Sequence, residues 1–203
     1  MNITLLPPLK IDFYDREVTT VAEQLIGKLL CRQASDGLTI GRIVETEAYL
    51  STGDSASHSC NGRNRKNSTM FGSAGRAYIY TIHARQCFNV VTESEGIGSA
   101  VLIRALEPLH GLPLMQMRRR TNILRDLCRG PARLCEAKLI DRDFDGWDLS
   151  RGDTLWIAAD EESSSPRDVR ISSRIGVTSA HDLPLRFFIA GSPFISGPKK
   201  LNK

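Results

Sequence analysis

Glu47 and Tyr49 lie two residues apart in the run Arg42-Ile43-Val44-Glu45-Thr46-Glu47-Ala48-Tyr49, and Tyr78 and Tyr80 stand in the same relation in a second run. In a β-strand such pairs share one face. Arg104 sits between Ile103 and Ala105 in an otherwise apolar stretch. A carboxylate near tyrosines and an arginine can act as a base beside a pocket that stacks a flat ring. The plain alternative is a half-exposed sheet edge with ordinary cross-strand pairs. Glu45 points the same way as Glu47, so strand parity does not choose between the two carboxylates.

Other chemistries are set aside by what the chain lacks. There is no G-x-x-x-x-G-K-[ST] phosphate loop, and Gly96-Ile97-Gly98 lacks the third glycine of a dinucleotide fingerprint and reads as a turn. His58-Ser59-Cys60 and the pair Cys128 and Cys135 lack the close ligand spacings of zinc sites, so no metal is expected. The H-x-E with P-C-x-x-C pattern of deaminases and the G-x-S-x-G elbow are absent. Five scattered cysteines, an N-terminal stretch with two prolines and no uninterrupted apolar core, and no apolar run near the roughly 18 residues of a membrane span point to an intracellular protein with reduced thiols.

Charge is more informative in its distribution than in its sum. The 203 residues carry a net charge of only +4, with 41% hydrophobic and 25% charged residues, which excludes a disordered tail, a fibre or a coiled coil. Residues 55–92 contain no Asp or Glu, yet hold Arg63, Arg65, Lys66, Arg76 and Arg85 with Phe71, Tyr78, Tyr80 and Phe88 among them. Basic groups interleaved with aromatics suit a polyanion whose bases can stack. A second cluster comprises Arg118, Arg119, Arg120, Arg125, Arg129 and Arg133. Each cluster alone also fits a solvated charged face.

These residues need elements to position them. Asp15 can cap a helix running to Gly27, with Val18, Val21, Ala22, Leu25 and Ile26 on one face. Residues 28–32 and 38–49 read as a strand pair around Ser35-Asp36-Gly37, and 77–82, 87–92 and 99–106 as three further strands. Residues 51–75 form a long loop of the kind that is functional or disordered. Helices are expected at 109–120 and 131–139, short strands near 154–158, 169–177 and 185–190, and a surface loop at 160–167. Strands before and after the helices, without regular alternation, predict one mixed α+β domain over residues 1–203.

The Glu45-Thr46-Glu47-Ala48-Tyr49 run resembles the signature strand of the alkyladenine (3-methyladenine) DNA glycosylase family. The resemblance continues in order through His58, Met70-Phe71, Tyr78-Ile79-Tyr80, Cys87-Phe88-Asn89-Val90-Val91, Ile103-Arg104-Ala105-Leu106-Glu107-Pro108, Gly130-Pro131-Ala132-Arg133, Arg174-Ile175-Gly176-Val177 and Gly191-Ser192-Pro193-Phe194. It implies a compact single-domain α+β fold with a curved antiparallel β-sheet and flanking helices, distinct from helix-hairpin-helix glycosylases. It implies a monofunctional enzyme that flips damaged purines such as 3-methyladenine, 7-methylguanine and hypoxanthine out of double-stranded DNA and hydrolyses the N-glycosidic bond with water, without metal or cofactor. A monomer in the bacterial cytoplasm and nucleoid, or in the nucleus, follows from the same resemblance, with no membrane partner.

The resemblance also assigns roles. Glu47 matches the general base and Arg104 the arginine beside the attacking water. Tyr49, His58 and Tyr80 match the pocket that sandwiches the flipped base, and Asn89 the residue that discourages guanine. Arg174, Ile175 and Gly176 match a loop near the DNA backbone, and the basic loop with Arg63 and Arg65 would hold phosphates. The position of the family's tyrosine wedge falls on His83, in a stretch one residue shorter than the animal-type pattern, so His83 with Arg85 is expected to fill the gap less well and to weaken lesion capture, the plain alternative being an exposed hairpin-tip histidine. Two rivals remain: a non-catalytic nucleic-acid-binding module on the same fold, and a related enzyme acting on a small molecule.

Overall fold

The computed structural model describes residues 6–160 and 168–202. The backbone of the fold is one long strand, β2 (Gly37–Tyr49), which returns from β1 (Leu29–Ala34) through a tight turn. β5 (Ala100–His110) runs antiparallel along the other edge of β2, and β4 (Arg85–Val91) and β3 (Ala77–Ile82) follow outward. β6 (Leu155–Ala158) pairs with the far edge of β1. Past the end of β1, β8 (Arg186–Ile189) pairs with β2 over Glu45, Thr46 and Glu47, and β7 (Val169–Ser172) pairs with β8. Two branches thus share one spine, and the antiparallel sheet curls around the centre of β2, giving the expected single α+β domain.

Helices cover one face. α1 (Ile11–Tyr14) leads into α2 (Val18–Leu25), whose buried stripe of Val18, Val21, Ala22 and Leu25 packs on the sheet. The cap is Glu17, not Asp15: its carboxylate accepts from the Thr19 and Thr20 N–H groups at 3.0 and 2.8 Å, while Asp15 ends α1. The first turn of α2 thereby gains the acceptors it lacks internally. The Thr46 hydroxyl donates to the Ala22 carbonyl at 2.8 Å, tying α2 to the centre of β2. α3 (Leu112–Arg119) begins later than expected because β5 stays paired with β2 as far as His110. α4 (Pro131–Lys138) has Pro131 in its first turn and packs against β4 and β5.

Two further expectations are adjusted, and a third is not tested. The strand expected at 169–177 stops at Ser172, because Arg174 turns into the interior. The long loop is internally organised: the Asn67 amide donates to the His58 and Gly62 carbonyls, and Asp54 accepts from the Leu50 and Ala56 N–H groups. Residues 161–167 of the expected surface loop lie outside the described residues. Among the described residues no helix is long and apolar enough to cross a membrane.

Candidate active site

Two irregularities in the β2–β5 ladder set the centre. Pairing runs from Ile43 with Leu106 to Glu45 with Ala105 and then Thr46 with Ile103. Val44 on β2 and Arg104 on β5 are skipped. Such bulges bend a strand and re-aim its side chains. Ile43 and Ile103 enter the main core, whereas Val44 and Ala105 pack with Phe188 and Ile195 on the opposite face. Arg104 is delivered to that opposite face, beside Glu45 and Glu47.

The resulting cluster is buried and hydrogen-bonded. Arg104 Nη1 donates to Glu47 Oε2 at 3.1 Å, and its Nε donates to Glu45 Oε1 at 3.2 Å. The other Glu47 oxygen accepts the Ile175 N–H at 2.7 Å, and the Tyr49 hydroxyl donates to Oε2 at 3.0 Å. Glu45 accepts from Arg186 Nε at 2.7 Å, the Ser196 N–H at 2.6 Å and the Ser196 hydroxyl at 3.0 Å. Both carboxylates are fully inaccessible.

The two acids are driven in opposite directions. Burial raises the proton affinity of each. At Glu45 the charges of Arg104 and Arg186 and the Ser196 N–H outweigh burial, and the carboxyl is held below its ordinary range. At Glu47 burial prevails over Arg104 and the Ile175 N–H, the charge of Glu45 adds to it, and the carboxyl is pushed up. A pair of carboxyls separated in this way marks the one with higher basicity as the proton acceptor. Of the two carboxyls that strand parity does not separate, Glu47 is the one whose proton affinity is raised. Burial also pushes the Tyr49 and Tyr80 phenols well above their ordinary value, so both stay neutral.

Aromatic rings lie next to this carboxylate. Tyr49, Tyr80, His58, Tyr78 and Asn89 line a cavity of about 20 Å³, room for about one water. His58 meets Tyr80 edge-on, with ring centroids 4.6 Å apart, and its Nδ1 lies 2.8 Å from the Tyr78 hydroxyl. The Asn89 amide donates to the Tyr78 carbonyl at 3.0 Å, which fixes its place under the rings. Tyr78 was not singled out as a site residue from sequence, although its parity with Tyr80 carried the signal.

Arg174 serves this pocket from within. Its guanidinium makes a two-pronged pair with Asp54 at 2.6 and 2.7 Å, donates to the Ala48 carbonyl and lies 4.6 Å from the Tyr49 ring centroid. The side chain is fully buried, so its expected place on a DNA-facing surface is corrected: only the adjoining Ile175 and Gly176 reach outward.

Outside the rings a cavity of about 800 Å³ runs past Arg65, Lys66, Tyr80, Ile82 and Arg142. Arg63, Arg65, Lys66 and Arg85 are exposed. The β3–β4 hairpin closes on the Ile82–Arg85 pair, and its turn residues His83 and Ala84 have φ of 49° and 59°. Positive φ at both positions is what a two-residue turn matched to the strand twist demands. Three of the six arginines of the second basic cluster are ion-paired, Arg118 with Asp36, Arg119 with Glu136 and Arg133 with Asp126, and Arg129 Nε donates to the Ile195 carbonyl. Among the described residues no group of three or more His, Cys, Asp or Glu could hold a metal ion.

Residues 12–193 match the profile of methylpurine-DNA glycosylases. The chain belongs to the methylpurine-DNA glycosylase family. The mouse DNA-3-methyladenine glycosylase is 42% identical over 201 residues, which span 91% of this chain and 60% of the mouse protein. A Mesorhizobium japonicum protein that carries a 3-methyladenine DNA glycosylase name is 43% identical over 198 residues, 97% of this chain and 94% of the relative. A Methanoculleus marisnigri protein with the same name is 46% identical over 186 residues, 91% of this chain and 96% of the relative. Family membership makes the chain a monofunctional DNA glycosylase, an enzyme of DNA repair, and sets aside the non-catalytic alternative.

Within this methylpurine-DNA glycosylase, the residues singled out from sequence divide into three groups. Arg104 and Tyr49 both hydrogen-bond Glu47, and the Ile175 backbone N–H joins them there. His58, Tyr80 and Asn89 share the small cavity with Tyr49. Arg63, Arg65, His83 and Arg85 lie exposed on the surrounding surface. Sequence reading missed Arg186 and Ser196, although an arginine between Leu185 and Phe187 carries the same signal as Arg104.

Proposed function

We propose that the enzyme excises alkylated purines, 3-methyladenine and 7-methylguanine among them, from double-stranded DNA, with Glu47 as the base that activates water. The observation that carries this reading is the Glu47 environment: an inaccessible carboxyl of raised basicity, held by Arg104, Ile175 and Tyr49 next to a ring-lined pocket.

In the proposed reaction the lesion is turned out of the duplex toward Tyr49, His58 and Tyr80. Flipping costs a few kcal/mol, less for damaged or poorly paired bases, so this step itself favours lesions. Entry requires the cavity between Tyr49 and the His58–Tyr80 pair, about 20 Å³ as it stands, to widen. An N3- or N7-alkylated purine is cationic, and its stacking on neutral Tyr49 and Tyr80 gains about 0.5–2 kcal/mol. As the C1′–N bond breaks, positive charge builds on the sugar. Glu47 stabilises that charge and takes a proton from the water that attacks C1′. Arg104 orients the carboxylate. The alkylated base leaves without needing a proton, whereas hypoxanthine needs one. Arg63, Arg65 and Lys66 would hold phosphates in a salt-sensitive, sequence-independent manner, and the loop at Ile175 and Gly176 adds backbone groups.

The test is release of free 3-methyladenine from alkylated duplex DNA by the purified protein. Release well above the no-enzyme rate is expected. No release of any alkylated purine, from a folded preparation that binds DNA, would overturn the substrate assignment.

A further inference from the structure

We propose that Glu45 and Arg186 are positioning residues of the excision reaction, holding the Arg104 guanidinium in place behind Glu47 and linking it to the segment around Ser196–Asn202. The inference rests on the reading of Glu47 as the base.

The linkage is direct. Arg186 is fully buried and donates to Glu45, to the Ser172 hydroxyl, to the Leu201 and Ser196 carbonyls and to the Asn202 amide oxygen. Ser196 donates its N–H and its hydroxyl to Glu45, and its hydroxyl oxygen accepts from Arg104 Nη2 at 3.2 Å. Arg104 is thereby gripped at Nε, Nη1 and Nη2 by groups from β2, from the Ile175 loop and from the C-terminal segment. The three sides of its planar fork leave it one orientation.

Stability alone does not call for this arrangement. A buried ion pair is often no better than well-packed apolar side chains of the same size. The quartet of Glu45, Glu47, Arg104 and Arg186 is electrically balanced, which allows all four to be ionised out of water. Its asymmetry matters for the chemistry. Were Arg104 paired with Glu47 alone, the whole of its charge would draw on that carboxylate and weaken it as a base. Glu45 takes a share of Arg104 and sets a second negative charge beside Glu47, while Arg186 keeps Glu45 ionised. The other groups facing Glu47 are Tyr49 and Tyr80, which are neutral, Cys87 from β4 and Arg174 from the loop after β7.

The experiment uses the full chain and compares Glu45→Gln with wild type in single-turnover excision of 7-methylguanine from duplex DNA across pH, alongside binding to abasic-site DNA. Glu45→Gln should lower the rate about ten- to hundredfold at neutral pH. It should also move the acid limb of the pH–rate profile to lower pH, because Glu47 loses a neighbouring negative charge and gains a larger share of Arg104. Abasic-DNA affinity should stay within about twofold. A merely structural role for Glu45 would change protein stability without moving the acid limb. A wild-type rate and profile for Glu45→Gln would overturn the inference. If that variant does not fold, Ser196→Ala, which removes one grip on Arg104 and one on Glu45, should shift the limb in the same direction, and an unchanged profile would be equally decisive. Failure of the wild type to excise would instead count against the Glu47 reading itself.

Discussion

Glu45 and Glu47 lie on one face of β2 and are reached by the same guanidinium, Arg104, at 3.2 and 3.1 Å, yet one carboxyl is held low and the other is pushed up. The difference lies in the second arginine: Arg186 and both donors of Ser196 go to Glu45, while Glu47 has one backbone N–H and one phenol. Glu47 is therefore an ionised group that the fold does not favour. A carboxyl whose folded proton affinity is raised takes up protons on folding, so its presence costs stability above its unfolded titration range. Glu47→Gln should melt no lower than wild type at pH 7.5, and higher by a few degrees if Arg104 keeps its place. A clearly lower melting temperature would show that the carboxylate is needed for folding.

The same raised affinity predicts the pH dependence of excision. The base acts only when deprotonated, so activity rises with pH through the Glu47 titration in the free enzyme. Since burial pushes Glu47 above the ordinary carboxyl value of 4.5, the acid limb of kcat/KM for a cationic lesion should lie above that value. A rate already flat from pH 4.5 upward would contradict it.

Arg174 is expected to act on stability rather than on phosphate binding. Replacing it with Met leaves the Asp54 carboxylate buried without its two-pronged partner, a loss on the order of 3–5 kcal/mol. The salt dependence of DNA binding should be unchanged in any fraction that stays folded. In Arg65→Ala, by contrast, stability should be untouched and the salt slope reduced by about one phosphate contact.

At the hairpin tip, Ile82 is a second residue, beside His83, that we propose for filling the gap left by a flipped nucleotide. It is 50% exposed and shares the strand face of Tyr78 and Tyr80, whereas His83 occupies the turn itself. Apolar wedges are the usual choice for an unstacked step. Ile82→Ala should weaken binding to abasic-site DNA more than His83→Ala does; the reverse order would return the wedge to His83. Ala84→Gly, at a positive φ, should add about 0.5–1 kcal/mol to stability.

Lys138 offers a prediction independent of the active site. It is fully buried, its ammonium donates to the Leu30 and Thr39 carbonyls, and burial brings its pKa down to about 8. Between that value and its ordinary 10.5 the unfolded chain holds the proton that the folded one has lost. Stability from this group therefore rises with pH through that window. Relative to Lys138→Met, wild type should gain on the order of 2 kcal/mol between pH 8 and pH 10 in urea unfolding. A difference that does not change with pH would show that Lys138 stays charged.

Much of the frame was legible in the sequence because period-two and period-3.6 patterns report local faces. β1 to β5 and α4 fall close to their expected places, and Glu47, Tyr49, Tyr78 and Tyr80 face as parity requires. What was not legible depends on partners distant in the chain. The contrast between Glu45 and Glu47 comes from Arg186 and Ser196, 141 and 151 residues beyond Glu45. The bulge that leaves Arg104 without a partner in the β2–β5 ladder does not show in the sequence. Arg118, Arg119 and Arg133 read as a basic cluster because a linear sequence does not display Asp36, Glu136 and Asp126 opposite them. Asp15 is the cap expected by type, but it ends α1, and the role passes to Glu17.

The central claim is that Glu47 activates the water. Single-turnover release of 7-methylguanine from duplex DNA by wild type and by Glu47→Gln, with abasic-DNA binding as the control for folding, tests it most directly. The account predicts a rate loss of about 10²–10⁴-fold with binding retained. A variant that excises at the wild-type rate would contradict it.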